Sequence, residues 1–150
     1  MTVSNVPTEF AGFEAPWHTK WAPLPEEART DYKLAMTLGK IDFPVVTKPM
    51  LNPFSNQPSK EVYGIFAERT DDTGNKIYAE LGTGSERYMP RQNAKMFEFV
   101  NDLVEGGASI DSCGYLGEGQ TVFMNMVTGK REIVKGDLHT FYMQAVNHHD

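Results

Sequence analysis

The sequence is poor in the features that mark several functional classes. It has a single cysteine, Cys113, in 150 residues, which excludes an internal disulfide framework and a zinc site built from several cysteines. No apolar run approaches the roughly 20 residues that a membrane-spanning helix needs. Residues Met1–Phe13 lack the basic start and apolar stretch of a signal peptide. These absences predict a reduced, cytoplasmic setting without a membrane partner.

Runs of basic residues are absent as well. The chain has 14 lysines and arginines against 20 aspartates and glutamates, a net charge of −6. A surface that binds phosphates would therefore have to be assembled in three dimensions, from Lys76, Arg87, Arg91, Lys95, Lys130, Arg131 and Lys135. The acidic balance equally suits a protein that is merely soluble, or one that meets a basic surface on another macromolecule.

Two regions are predicted, an irregular N-terminal arm over residues 1–24 and a single domain over residues 25–150. The arm contains three prolines and few periodic apolar positions. It is nevertheless too apolar for a free tail, and its aromatic residues are expected to pin it across the domain. These residues are Phe10, Phe13, Trp17 and Trp21.

Within the domain, the pattern predicts the order helix, three strands, helix, three strands. The second helix is the best marked, because Met96, Phe97, Val100, Leu103 and Val104 form one apolar stripe. Asn93 is expected to cap its start, and Gly106–Gly107 to end it. Strands joined by short turns pair antiparallel, so the predicted class is α+β, with antiparallel sheets packed against a long central helix. The other predicted segments are a helix from Pro25 to Gly39, strands at 41–51, 62–69, 76–81, 110–116, 120–127 and 138–146, and hairpin turns at 71–75 and 117–119.

No catalytic constellation is recognisable. Histidines His18, His139, His148 and His149 lack the spacing of metal ligands, so a structural or solvent-exposed role is expected for them and no metal is predicted. Cys113 has no protease signature around it and is expected to be a small buried residue. The glycines of Gly114–Gly119 favour a hairpin over a dinucleotide-binding loop. The sequence therefore predicts a protein that is not an enzyme and uses no cofactor.

One group of residues at the start of the second helix has the chemistry of a nucleic-acid contact. Free backbone N–H groups at a helix start favour anions, and an aromatic ring, a guanidinium and amides can stack on nucleotides and bond to them. The alternative is that Tyr88 packs and Asn93 simply caps the helix. The candidate nucleic-acid-binding residues are Tyr88, Arg91, Gln92, Asn93 and Lys95.

Several segments carry motifs of one known family. They are Ala15–His18, Asp31–Leu38, the Lys48–Pro49 step, Arg87–Asn93, Ser112–Phe123 and Asn147–Asp150. In these segments the chain resembles the phage/plasmid-like family of unknown function that includes the YfjQ and YubP proteins. Members of that family continue past the position of Asp150, so the resemblance implies a short member that has kept a binding surface. The family's element order is similar to the core of Rad-type single-strand annealing proteins, an analogy at the level of fold.

Two functions are compatible with these observations. The first is a non-catalytic phage- or plasmid-derived accessory protein that binds single-stranded DNA or RNA, or a host or phage nucleoprotein complex, in a recombination-like or annealing-like role. The alternative is an acidic, protein-directed inhibitor of a host defence, similar to an anti-CRISPR protein, or of a replication complex. A homo-oligomer is compatible with both. A hydrolase or nuclease would need a nucleophile–base pair or a set of metal ligands.

Overall fold

The computed structural model describes residues 9–12 and 20–150, with the side chains of all but Lys20, Trp21, Arg131 and Ile133. This part of the chain is mostly β-structure, in two sheets. Its strands are β1 (Glu9–Gly12), β2 (Lys20–Pro23), β3 (Val45–Leu51), β4 (Pro58–Thr70), β5 (Lys76–Gly84), β6 (Ser109–Leu116), β7 (Thr121–Val134) and β8 (Asp137–His148). Its helices are α1 (Tyr32–Leu38), α2 (Asn93–Met96) and α3 (Val100–Glu105), with 3₁₀ turns at Glu26–Arg29 and Phe97–Phe99.

The two sheets share one hydrophobic core. The larger sheet has the strand order β2-β1-β6-β7-β8, and the smaller has the order β3-β4-β5. Neighbouring strands run antiparallel, except for the parallel pair β1 and β2. Buried side chains of β3, β4 and β5 contact those of β6 and β7, and α1 and the helical segment 93–105 add residues such as Met36 and Phe97 to the same cluster. No helix in the described ranges is both long and apolar enough to cross a bilayer.

The predicted α+β class, with sheets packed against a long central helix, is wrong, and so is the likeness to a Rad-type annealing core. The helical segment 93–105 has only 13 residues. A 3₁₀ turn at Phe97–Phe99 interrupts it, and Gly106 ends it. Its apolar stripe is therefore short and buries little more than Phe97 and Val100, while most of the core comes from the two sheets.

Part of the segment predicted as an irregular arm is strand. Strand β1 lies antiparallel to β6, with Glu9 opposite Tyr115 and Gly12 opposite Ser112. The close approach depends on Gly114, because a Cβ at this position would overlap the carbonyl oxygen of Glu9. The aromatic residues Phe13 and Trp17 and the family-like segment Ala15–His18 lie outside the described residues.

Both predicted hairpin turns are confirmed. In the β4–β5 turn, the Asp71 carboxylate accepts hydrogen bonds from the Thr73 hydroxyl and from the backbone N–H groups of Thr73 and Asn75. These bonds, led by the one from the Thr73 hydroxyl, lower the pKa of Asp71. The β6–β7 turn places Gly117 at φ 63° and Gly119 at φ 117°, where residues with a Cβ are strained.

The prediction that Cys113 is a small buried residue is also confirmed. Its side chain is fully buried, and its Sγ donates a hydrogen bond to the Ala35 carbonyl at 3.1 Å. Burial raises the pKa of the thiol to about 12, so it is protonated at neutral pH. The contact joins β6 to α1 and positions the helix on the larger sheet.

Two phenylalanines of the helical segment form a matched pair for a stability test. Phe97 is fully buried, whereas Phe99 is 39% exposed. We expect Phe97→Ala to lower the free energy of unfolding by about 3–5 kcal/mol, because it leaves a cavity in the shared core. Phe99→Ala should cost clearly less in urea unfolding, and an equal loss for both would show that the segment is not packed as described.

Candidate functional site

The predicted nucleic-acid-binding residues lie together at the start of α2. Gln92 is the residue before the helix and Asn93 is its first residue, so Asn93 does not cap the helix as predicted. Tyr88 is half-buried, Asn93 is buried, and Arg91 and Lys95 are exposed. The five residues are therefore close in the chain but face different surroundings.

Gln92 ties the helix start to the smaller sheet. Its Oε1 accepts a hydrogen bond from the Val45 backbone N–H at 2.9 Å, and its Nε2 donates to the Val45 carbonyl at 2.8 Å. One amide thus satisfies both backbone groups of a residue in β3, as a neighbouring strand would. Gln92 is therefore a positioning contact between the helix start and β3.

Asn93 belongs to a buried polar cluster with Asn147 and His149. Its Oδ1 lies 3.0 Å from the Asn147 Nδ2 and 2.7 Å from the His149 Nε2. Asn147 Nδ2 also donates to the Arg91 carbonyl at 2.8 Å. The His149 backbone N–H donates to the Gln120 carbonyl at 2.7 Å. The cluster therefore joins the helix start, the end of β8 and the β6–β7 turn.

The protonation of His149 follows from this cluster. Because the Asn93 Oδ1 is an acceptor, Nε2 carries the proton and Nδ1 is an acceptor. Nδ1 is buried and has no protein partner within the described residues, and the same holds for the Asn93 Nδ2. Burial lowers the pKa of His149 to about 4, although the nearby Asp150 raises it. The imidazole is neutral at pH 7.

His148 has the opposite environment. It is exposed, and its Nδ1 lies 3.1 Å from the Thr121 hydroxyl. The two neighbouring histidines therefore point to different sides of the chain, as expected for an extended segment. Within the described residues, no group of three or more histidine, cysteine, aspartate or glutamate side chains is placed to hold a metal ion.

The remaining predicted residues differ in how accessible they are. Tyr88 packs against the core, and burial raises its pKa. The Lys95 Nζ lies 3.0 Å from the Glu98 carboxylate, and the Arg91 Nη1 lies 3.8 Å from the Met96 Sδ. Of the five, Arg91 and Lys95 present charged groups to solvent. Nucleic-acid contact by this group stays a prediction.

A half-buried arginine, Arg69, connects the two sheets. Its guanidinium carbon lies 4.6 Å from the ring centroids of both Phe43 and Tyr115, and its Nη2 donates to the Glu118 carbonyl. Cation–π contacts of this kind stabilise a desolvated guanidinium. Gly119 leaves room for it, because a Cβ there would lie 2.9 Å from the Arg69 Nη2 and 2.8 Å from the Phe43 ring. This arrangement fixes the β6–β7 turn on β4 and is structural.

Two strands of the larger sheet, β7 and β8, extend beyond β6, the neighbour of β7. The first residue of β6, Ser109, pairs with Val127, and β6 does not extend past this pair. Strands β7 and β8 continue beyond it as a two-stranded ribbon. We call residues 128–141 the β7–β8 arm. The arm carries Lys130, Arg131 and Lys135 against the acidic residues Glu132 and Asp137. It is thus locally basic within an acidic chain.

An aromatic notch lies on this arm. Gly129 pairs with Phe141 across the ribbon, and a Cβ at Gly129 would meet nothing within 4 Å. The Phe141 side chain is 43% exposed beside a cavity of about 340 Å³ lined by Thr128, Gly129, Lys130 and Phe141. We call these four residues the Phe141 notch. An exposed ring beside an open space can stack on a flat ligand, and Lys130 brings a positive charge to the same part of the arm.

Sequence reasoning missed the notch, although it counted Lys130 among the scattered basic residues. Two signals were available. Phe141 is followed directly by Tyr142, and neighbouring strand residues face opposite sides of the sheet. At most one of the two aromatic rings can therefore lie in one core. A glycine in a strand, here Gly129, often marks a place where another group approaches closely. The cross-strand pairing of Gly129 with Phe141 itself required the register of the hairpin.

The buried His149 predicts a pH dependence of stability. Its pKa is lowered from 6.5 to about 4, so between these values the native state binds fewer protons than the unfolded state. The contribution of neutral His149 to the free energy of unfolding should be fully present above pH 6.5. It should fall by about 2–3 kcal/mol as the pH drops through this window. Urea unfolding at pH 7.5 and 4.5 measures the loss. His149→Gln should flatten this dependence, and the exposed control His139→Gln should leave it unchanged; a wild type with constant stability across the window would contradict the assignment.

Comparison with known proteins finds one similarity. Residues 80–150, which run from β5 to the last residue of the sequence, match the family model described as Domain of unknown function (DUF932). No curated protein and no solved structure matches the chain. The region that holds the buried polar cluster and the β7–β8 arm is therefore similar to a domain to which no function has been assigned.

Proposed function

We propose that this protein is a non-catalytic accessory protein that binds single-stranded nucleic acid through its β7–β8 arm. The observation that carries the proposal is the Phe141 notch, an exposed aromatic ring beside an open space and a lysine. Bases of any sequence stack on such rings, and lysines bind the phosphates between them. The motifs shared with the phage/plasmid-like family favour a phage- or plasmid-derived origin for this accessory role.

The shape of the notch suits a nucleobase. Gly129 has no side chain to cover the face of Phe141, and the cavity of about 340 Å³ is open to solvent on the arm. A stacked base would lie over the ring, and Lys130, which also lines the cavity, would meet a neighbouring phosphate. Stacking of this kind contributes about 1–3 kcal/mol per base.

The charges of the arm support a phosphate contact. The Glu132 carboxylate accepts a hydrogen bond from the Gly136 backbone N–H. The Asp137 carboxylate lies 3.0 Å from the His139 Nε2. Both acidic groups of the arm are therefore engaged within it. Among the described side chains, Lys130 and Lys135 form no ion pair, which leaves both ammonium groups to solvent or to a ligand.

The first test measures binding to a fluorescent oligothymidine of about 16 nucleotides by anisotropy at low salt. Phe141→Ala should weaken binding by about 5- to 150-fold, which corresponds to the loss of one stacking contact of 1–3 kcal/mol. Phe54→Ala is the matched control, because Phe54 is 98% exposed at the β3–β4 connection, outside the arm. Equal effects of the two changes, or no binding by the wild type even at low salt, would contradict the proposal.

The electrostatic part of the contact has its own prediction. Lys130→Ala should reduce the slope of log affinity against log salt by up to about 0.7, the value for one phosphate of a single strand. Lys48→Ala, which removes an exposed lysine from β3, should leave the slope unchanged. A slope that is the same in all three proteins would show that Lys130 touches no phosphate.

The start of α2 supplies a further prediction. If the bound strand also reaches this surface, Arg91→Ala and Lys95→Ala should each weaken binding and lower the salt slope without unfolding the protein, since both side chains are exposed. Unchanged binding in both variants would confine the contact to the arm.

A protein-directed inhibitor is the second candidate function. The net charge of −6 favours it, as do the exposed apolar side chains of Leu51, Phe54 and Val62 around a cavity of about 410 Å³ at the β3–β4 connection. On this account Phe54→Ala, rather than Phe141→Ala, would abolish capture of a host complex from lysate. Charge reversal at Glu68, Asp71 and Asp72 would slow that capture.

A further inference from the structure

Strand β8 lies at one edge of the larger sheet. Strand β8 runs for 12 residues, Asp137–His148, and within the described residues it pairs with β7 alone. Its own backbone is regular, because both register shifts of the hairpin, after Val127 and after Glu132, place the additional residue in β7. The strand contains no proline, lysine or arginine. A long, regular edge without proline, lysine or arginine is a template for pairing with another strand.

The other edge strands have the features that prevent such pairing. Strand β2 is only four residues long and ends at Pro23. Strand β3 contains Lys48 and Pro49 and a register shift beside them. Strand β5 begins with Lys76 and has an additional residue at Leu81 opposite β4. Because three of the four edges carry these features and β8 does not, the β8 edge has the character of a binding surface.

The direction of the backbone groups identifies the residues that would pair. The Phe141 carbonyl accepts a hydrogen bond from the Thr128 hydroxyl in β7, so it points inward. In an extended strand the backbone groups of successive residues point to opposite sides. The residues whose N–H and C=O groups point to the open edge are therefore Leu138, Thr140, Tyr142, Gln144 and Val146.

We propose that a second copy of this chain occupies this edge, with the two β8 strands antiparallel about a twofold axis at Tyr142. The sheet would then continue across the dimer as ten strands. Tyr142 would form a hydrogen-bonded pair with the same residue of the other copy, and the outward-pointing residues on either side would pair in the same way. The proposal depends on the free edge and not on the nucleic-acid contact of the arm.

The sequence of β8 fits this register. Leu138 would lie opposite Val146, Thr140 opposite Gln144, and Tyr142 opposite its own copy, so apolar groups meet apolar groups and polar groups meet polar groups. No like charges would face each other in the pair. Leu138 and Tyr142 are 63% and 62% exposed in the single chain, and pairing would cover part of their apolar surface.

A cysteine crosslink tests the register. Hydrogen-bonded antiparallel partners have Cα atoms about 5.5 Å apart, a separation that a disulfide spans. Mild oxidation of Tyr142→Cys should therefore give a covalent dimer on a non-reducing gel. Tyr78→Cys, at an exposed tyrosine of edge strand β5, is the control and should stay monomeric; the native Cys113 is buried. Faster crosslinking of Gln144→Cys than of Tyr142→Cys would overturn the proposed axis.

Sedimentation of the full chain tests the association itself. The wild type should show a monomer–dimer equilibrium. Tyr142→Lys should raise its dissociation constant about tenfold or more, because two ammonium groups would face each other at the axis, and Tyr78→Lys should leave it unchanged. Circular dichroism confirms that each variant is folded. A wild type that stays monomeric at its highest soluble concentration, or equal effects of the two lysine variants, would overturn the proposal.

Discussion

The difference in length between neighbouring strands determines which part of the larger sheet extends beyond the shared core. Strand β6 has 8 residues, whereas β7 has 14 and β8 has 12, so β7 and β8 leave the shared core together and continue as a two-stranded arm. Inside the core their side chains are covered by the smaller sheet and the helices. Beyond Val127 the same strands keep their backbone hydrogen bonds but lose that cover, which exposes the ring of Phe141.

The C-terminal end of β8 is held by buried polar groups as well as by hydrophobic contacts. Asn93 Oδ1 receives hydrogen bonds from Asn147 and His149, and Gln92 satisfies the backbone of Val45. These contacts connect α2, β8 and β3, so the end of β8 cannot move independently of the core. Within the described part of the chain, the buried Asn93 Nδ2 and His149 Nδ1 have no hydrogen-bond partner, and a buried group left unsatisfied costs about 1–3 kcal/mol.

Local signals in the sequence predicted the turns and several core positions. Gly117 and Gly119 lie at positive φ as their turn requires, Asp71 organises the β4–β5 hairpin, and Phe97 and Val100 are buried on the predicted stripe. The architecture could not be predicted in the same way. The apolar periodicity of residues 96–104 indicated a helix. It carried no information on the two sheets, which supply most of the core.

The candidate site was harder to predict, for a physical reason. Gln92, Asn93 and His149 are polar residues with functional chemistry, and burial turns them into structural contacts that no periodicity reveals. Phe141 is the opposite case. An apolar residue in a strand pattern indicates a buried position, but Phe141 is exposed because β6 does not extend alongside the arm. Cross-strand register and burial, both properties of the folded chain, decide these roles.

Photo-crosslinking tests most directly whether the Phe141 notch holds a base. A single-stranded oligonucleotide carrying 5-bromouracil, bound to the wild-type protein and irradiated, would be digested and its attachment site read by mass spectrometry. We expect attachment within the arm, at Phe141 or a neighbouring residue of the notch. Attachment at the β3–β4 connection instead, or no crosslink under conditions where the oligonucleotide is bound, would contradict it.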